Sequence, residues 1–415
     1  MNKEGMKNNP LKELIDLPAS EKKKMGILYT PTEIQNQVEL WEDTFRRIKN
    51  KEPEISSFID GIINKDAVLI LTGAGTSEFI GYCVEGLFRK NLKVPTNVFS
   101  TTKIVTNPEH VIIKGRPFLL VSFARSGNSP ESIGAVKIAN STSELVNHII
   151  VTCNAKGDLA KLARRMKKTL LIPLSDKTND KGLAMTSSFS NMVIAAQTLS
   201  FYRHLDKYSS ALKRIIKAGE NMLEDSPDTI KKVCSLNFLR AVFLGDGANY
   251  GTAIESHLKL QELTSGKVMC AFDTFMGLRH GPEAVIDDRT LVVAFMSTDP
   301  YVRRYEEDLL FELHEKRLGM AVLACTSRIN EKIRELSDFT LEFDPEGSLN
   351  LDDDLTPPVY VIAGQLLGLF KSLNLGLKPD SPSESGVIHR VVEGVRIYDP
   401  TIFREKGIFR VIAKR

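Results

Sequence analysis

The chain repeats itself at one long spacing. Leu119-Leu-Val-Ser-Phe123 is echoed by Leu291-Val-Val-Ala-Phe295, 172 positions later. Gly73-Ala-Gly75 is echoed by Gly245-Asp-Gly247 at the same offset, and Cys153 by Cys325. Ile194-Ala-Ala-Gln197 returns as Ile362-Ala-Gly-Gln365, at an offset of 168. A solenoid repeats every 20–50 residues or so, so this period marks a duplicated domain instead. Both copies have the same grammar. An apolar β-rich run (67–72; 241–244) ends in Gly-x-Gly and opens a helical pattern. A second run (118–123; 290–295), a third (148–153; 321–325) and a short fourth follow, separated by helical stretches. An apolar helix closes each copy. Continuous apolar strands alternating with helices specify a parallel sheet covered on both faces. Right-handed crossovers then give an α/β fold of two tandem doubly wound, flavodoxin-like sheets.

Length agrees: 415 residues at roughly 150 per domain hold two or three domains. Composition divides the chain into an N-terminal helical extension (1–50, helical from Thr32 through Ile48), a first copy (51–205), a charged helical linker (206–230), a second copy (231–378) and a tail (379–415). The tail begins with turn chemistry at Lys378-Pro-Asp-Ser-Pro-Ser. A net charge of +3 is too small to imply a nucleic-acid partner. No run approaches the roughly 18 apolar residues of a membrane span, and the N-terminus lacks an apolar signal core. The five cysteines form no C-x-x-C pair, which argues against a disulfide framework or zinc ribbon. A soluble, reduced, cytoplasmic protein is expected.

In open α/β sheets ligands bind beyond the carboxyl ends of the strands. After the first run comes Gly73-Ala-Gly-Thr-Ser-Glu78. A dinucleotide fingerprint needs a third Gly where Glu78 stands and an acid where Asn97-Val-Phe-Ser100 ends the next strand. Thr76 and Ser77 either offer hydroxyls and amides to a polar ligand at a helix N-terminus or simply cap that helix. After the second run comes Ser122-Phe-Ala-Arg-Ser-Gly-Asn-Ser-Pro-Glu-Ser132. Ser126, Gly127, Ser129 and Ser132 place hydroxyls and amides at the positive end of a helix opened by Pro130, which suits a phosphate monoester. A well-capped turn is the other reading of the same residues.

Gly-Thr-Ser after one strand and Ser-Gly-x-Ser after the next resemble the sugar isomerase (SIS) domain of phosphosugar enzymes. The duplication resembles the isomerase half of glucosamine-6-phosphate synthase. Phe243-Leu-Gly-Asp-Gly-Ala-Asn-Tyr-Gly-Thr-Ala-Ile-Glu255, Leu258-Lys-Leu-Gln-Glu262 and Leu278-Arg-His-Gly-Pro-Glu-Ala-Val-Ile286 are similar to the segments carrying that enzyme's catalytic Glu and His. Ser122–Ser132, Ala184-Met-Thr-Ser-Ser-Phe189 and Arg390-Val-Val-Glu-Gly-Val395 narrow the match to an AgaS-type subfamily, which comprises tagatose-6-phosphate ketose/aldose isomerases and galactosamine-6-phosphate deaminases. The resemblance spans residues 50–395 or so. It implies a hexose or hexosamine phosphate substrate, and it adds Ser187 and His389 to the binding candidates.

Residue chemistry runs parallel to this. Lys259 and Glu262 share a helix face at i, i+3. Glu262 suits a base that carries a proton between C2 and C1 of an aldose phosphate; a surface ion pair is the plainer reading. Glu255 falls on a similar face two turns away and reads as structural. His280 stands between Arg279 and Gly281-Pro282. It either opens the sugar ring or bonds a backbone carbonyl. Three departures qualify the resemblance. Ala124 replaces the family's first loop serine, and Arg125 beside it points either to the phosphate or to solvent. Residues 382–391 contain no Lys, only His389 and Arg390. Residue 2 is Asn and only about 50 residues precede the first copy, so a glutaminase domain and amino-sugar synthesis are not expected. Asp352-Asp-Asp354 reads as a solvated loop rather than a cation site, and the chemistry requires no metal or redox cofactor. The expected function is conversion of galactosamine 6-phosphate to tagatose 6-phosphate and ammonia. Plain isomerisation and a silent sugar-phosphate sensor are the alternatives. The resemblance also implies a homodimer or higher homo-oligomer whose shared site takes its ring-opening His from the neighbour. The apolar stretches 184–201 and 359–373 are either interface or core.

Overall fold

The computed structural model describes residues 9–64, 66–386, 390 and 394–398. Two five-stranded sheets form its centre. The first contains β1 (Val68–Gly73), β2 (Thr96–Ser100), β3 (Phe118–Ala124), β4 (Val146–Thr152) and β5 (Thr169–Pro173), in the order β2-β1-β3-β4-β5. The second contains β6 (Arg240–Gly245), β7 (Met269–Asp273), β8 (Thr290–Phe295), β9 (Ala321–Thr326) and β10 (Phe339–Glu342), in the order β10-β9-β8-β6-β7. Read from equivalent strands, the two orders are identical, and every strand pair is parallel. The duplication reaches single dihedrals. Gly75 (φ 54°, ψ −129°) and Gly247 (φ 56°, ψ −126°) cap corresponding helices in a conformation that excludes a Cβ.

The sequence grammar counts four strands per copy; the structure has five. The additional strands, β2 and β7, lie at sheet edges and are half-exposed. They carry no continuous apolar run, because only strands buried on both faces need one. The central strands β3, β8 and β9 are buried at every residue.

Helices Ser187–Ser200 and Pro357–Asn374 close the copies. The first is buried along its whole length and the second nearly so, which assigns both apolar stretches to the core rather than to an interface. The linker is one helix, Leu205–Ser235, longer than the charged stretch that announces it. Its apolar stripe, including Tyr208, Leu212, Ile215, Met222 and Ile230, is buried.

From Pro10 onward the N-terminal extension holds more helix than its polar composition implies. Two short helices, Pro10–Asp16 and Ala19–Met25, precede the long helix Thr30–Lys49. The long helix begins before Thr32 because Pro31 occupies its first turn, where a missing N–H costs nothing. It is pinned to both closing helices. Gln37 Nε2 donates to Gln365 Oε1 at 2.7 Å, Thr44 Oγ1 to Asn191 Oδ1 at 2.7 Å, and Trp41 Nε1 to Ser190 Oγ at 3.0 Å. All five cysteines are free. Among the described residues no helix is long and apolar enough to cross a membrane.

Candidate active site

A cavity of about 330 Å³ opens beyond the carboxyl ends of β1 and β3. Two helix N-termini converge on it, Thr76–Leu92 and Pro130–Thr142. Their unpaired amides and dipoles favour an anion. Ser126, Gly127, Ser129 and Ser132, the loop candidates from the sequence, all line it. Gly127 takes φ 63°, turning the chain where an L side chain would be strained. Ser129 stands at the N-cap of its helix, yet its hydroxyl makes no capping bond. The loop is braced from outside: Ser126 O accepts from Asn154 Nδ2 at 2.9 Å and Gly127 O from the Leu159 amide at 2.8 Å.

Thr76 and Ser77 also line the cavity. They are not the helix cap, which is Gly75. The Thr76 hydroxyl is already engaged, accepting from Lys259 Nζ at 3.1 Å and donating to Glu255 at 3.3 Å.

The second copy contributes the opposite wall. Leu258, Lys259 and Glu262 of helix Ala248–Leu263 enter the first copy's cavity. That helix is held by glycines at close approaches. A Cβ at Gly251 would lie 2.5 Å from the Cys83 amide, and one at Gly368 would lie 2.8 Å from the Lys259 carbonyl. Lys259 is fully buried between two carboxylates, 2.6 Å from Glu262 Oε2 and 3.3 Å from Glu255 Oε1. Burial opposes its charge, but Glu255 and Glu262 outweigh that and raise its pKa, so it stays an ammonium. Burial pushes the Glu255 carboxyl above its ordinary value, and Lys259 pulls it back down. The surface-pair reading of Lys259 and Glu262 is therefore set aside. Glu255, read from sequence as structural, belongs to the same cluster.

Arg125 is buried against the cavity. Its Nη1 donates to the Leu183 carbonyl at 3.0 Å and its Nη2 to the Arg390 carbonyl at 2.9 Å. Burial lowers its pKa, while Asp180 pulls the other way. Of the two orientations left open for this residue, burial excludes the solvent-facing one.

Two candidates lie elsewhere. Ser187 does not line the cavity; it opens the buried closing helix, where its amide donates to Asp180 Oδ1 and its hydroxyl accepts from Asn191 Nδ2. It is a helix-start residue in the core, which corrects its assignment to binding. His280 is exposed on the second copy, its amide bonded to the Gly277 carbonyl at 2.9 Å, and does not line this cavity. His389 lies outside the described residues.

Sequence reasoning missed Leu183, Met185 and Arg390 as cavity walls. They come from loops remote in sequence, which no spacing rule connects. Of Asp352-Asp-Asp354, read as a solvated loop, only Asp352 is exposed; the other two are engaged within the chain. Asp353 accepts from the Thr298 amide and hydroxyl, and Asp354 pairs with Lys90 at 2.5 Å. Ser297 and Thr298 follow β8 as Arg125 and Ser126 follow β3, so the chain's own carboxylate occupies the second copy's counterpart loop. Among the described residues no group of three His, Cys, Asp or Glu is arranged to hold a metal.

Residues 62–200 match the family model of the SIS domain. The D-galactosamine-6-phosphate deaminase AgaS of Shewanella sp. is 34% identical over 386 residues, covering 92% of this chain and 95% of that one. The Escherichia coli O157:H7 protein of the same name is 34% identical over 380 residues, covering 89% and 95%. Among solved structures, the tagatose-6-phosphate ketose/aldose isomerase from Escherichia coli superposes with a TM-score of 0.81 at 32% identity, covering 89% of this chain and 96% of that one. The C-terminal domain of a Francisella tularensis glucosamine-fructose-6-phosphate aminotransferase shares the fold at 21% identity, with a TM-score of 0.69, covering 84% and 96%. Two sheets of one topology, a serine-rich loop at paired helix N-termini and near-full-length likeness agree: the chain belongs to the SIS-domain family, in its AgaS branch.

Proposed function

We propose that this protein converts galactosamine 6-phosphate and water to tagatose 6-phosphate and ammonia. The observation that carries this reading is the entry of Glu262 into an anion-suited cavity. Its carboxylate, about one third exposed, meets a fully buried ammonium there. The phosphate sits in the loop of Ser126, Gly127, Ser129 and Ser132, with Arg125 supplying charge. That anchors the sugar so that C1 and C2 face Glu262. Glu262 takes the C2 proton and returns it to C1, while Lys259 fixes the carboxylate and balances charge as the enediol-type intermediate forms. The C2 nitrogen is then an imine, water adds to C2, and ammonia leaves. Ring opening is assigned to His280 of a second chain, because His280 of the same chain does not line the cavity. Exposed apolar residues in the same half of the chain, Met276, Val285 and Tyr301, support a homodimer.

The test is a coupled ammonia-release assay across hexosamine 6-phosphates, run beside aldose-phosphate isomerisation. Ammonia from galactosamine 6-phosphate in preference to its epimers is the expected result. Isomerisation without ammonia release would replace this reading with a plain isomerase, and binding without turnover would replace it with a sensor.

A further inference from the structure

Helix Thr30–Lys49 belongs to neither copy, yet its first turn reaches a wall of the cavity. Glu33 Oε1 accepts from the Lys181 amide, and Glu33 Oε2 from the Gly182 amide at 3.2 Å. The approach is close: a Cβ at Gly182 would lie 2.8 Å from Thr30 Oγ1 and 3.1 Å from Glu33 Oε2. The next residue, Leu183, lines the cavity and offers its carbonyl to Arg125 Nη1. The Leu183 amide donates to the Asp380 carbonyl at 3.1 Å, and the Asp380 side chain accepts from the Thr30 amide at 2.9 Å. On the far side, Asp180 accepts from the amides of Thr186, Ser187 and Ser188. Segment 180–186 is thus gripped at both ends, and its one bond to the cavity's buried guanidinium runs through Leu183 O. Among the described residues, the acceptors of the Arg125 guanidinium are two main-chain carbonyls. Its direction is set by where those carbonyls stand.

We propose that Glu33 is a positioning residue for anion binding. By holding the Lys181 and Gly182 amides it fixes the Leu183 carbonyl, which aims the Arg125 guanidinium at the anion. This rests on the reading of the cavity as a phosphate site.

The sign of the effect separates this role from simple electrostatics. Removing a negative charge near an anion site tightens anion binding if charge is all that matters. Loss of positioning weakens it. The probe is inorganic phosphate, titrated calorimetrically into the full chain and also used as a competitive inhibitor. Glu33→Ala is expected to raise the phosphate Kd about tenfold, the size of one misaligned charge-assisted hydrogen bond. In an Arg125→Ala background the same substitution should have no further effect, whereas Ser129→Ala and Glu33→Ala should add. Glu33→Gln keeps one acceptor and should give a smaller loss in the same direction, which serves if the alanine variant does not fold. Unchanged or tighter phosphate binding in the Glu33 variants overturns the proposal. So does an equal loss with and without Arg125. If the unaltered protein binds no phosphate, the phosphate reading of the cavity fails first, and the proposal with it.

Discussion

Lys259 is the residue around which the site's charge is organised. A lysine with no solvent exposure costs several kcal/mol to ionise unless it is paired. Two carboxylates from its own helix, at i−4 and i+3, provide the pairing. Glu262 is the partner that the cavity reaches, so Glu262→Gln keeps shape and hydrogen bonding while losing the basic oxygen. It should bind substrate normally and lower the rate by about 10²–10⁴, read as loss of C2-proton exchange with deuterated solvent. In the loop, Ser126→Ala should raise KM for the phosphosugar about tenfold, by removing one charge-assisted bond of roughly 1.5–3 kcal/mol; an unchanged KM counts against the loop. A third residue matters to stability alone. His148 on β4 is fully buried, with Nε2 against Asn140 Oδ1 and Nδ1 without a partner. Burial pushes its imidazole down to about 4 from an ordinary 6.5. The unfolded chain therefore takes up a proton before the folded one does. Stability contributed at neutral pH should fall as pH drops from 6.5 toward 4 and level off below. A shift of this size is worth about 3 kcal/mol. Urea melts across that range should show a flatter acid limb for His148→Gln than for the unaltered protein.

At the scale of elements, helix Ala248–Leu263 decides where the chemistry stands. Helix Pro357–Asn374 approaches it backbone to backbone, through Gly364 against Ser256 and Gly368 against Lys259. A Cβ at Gly368 would stand 2.6 Å from Leu263 Cδ1 and 2.8 Å from the Lys259 carbonyl. Gly368→Ala should therefore cost about 1–3 kcal/mol in overpacking, measured by chemical denaturation. It should also lower kcat more than it raises KM, because it displaces the turn carrying Glu262 and leaves the phosphate loop in place. Comparable denaturation midpoints would show that the helices separate without strain.

At the scale of the whole molecule, each chain holds two copies of one fold; the first copy's loop lines the cavity, whereas the second copy's counterpart loop binds the chain's own Asp353. The second copy contributes its helix to that cavity and carries His280 on an exposed face. If a second chain supplies His280, two defective variants should complement one another. Glu262→Gln mixed with His280→Asn, after dissociation and reassociation, should regain about a quarter of the unaltered activity, since half of random dimers would hold one intact site. Recovery of none, or full activity in a monomer by light scattering, would place ring opening within one chain.

Much of this was legible in sequence for an identifiable reason. The repeat, the apolar strands and the serine-rich turn are local: each follows from side-chain burial or backbone conformation within a few residues. The 172-residue offset therefore determined the fold class, and the serine-rich turn at Ser126, Gly127 and Ser129 marked a loop that lines the cavity. The edge strand β7 escaped, and β2 was marked only by its end at Asn97–Ser100, because half-exposed strands need no apolar run. The inward turn of Arg125, the place of Ser187 in the core, the inclusion of Glu255 in the Lys259 cluster and the arrival of Leu183 and Arg390 at the cavity were decided only in three dimensions. Each depends on which groups remote in the chain are left to satisfy a buried charge or amide. Periodicity records which face of an element is buried, but not which distant partner meets it there.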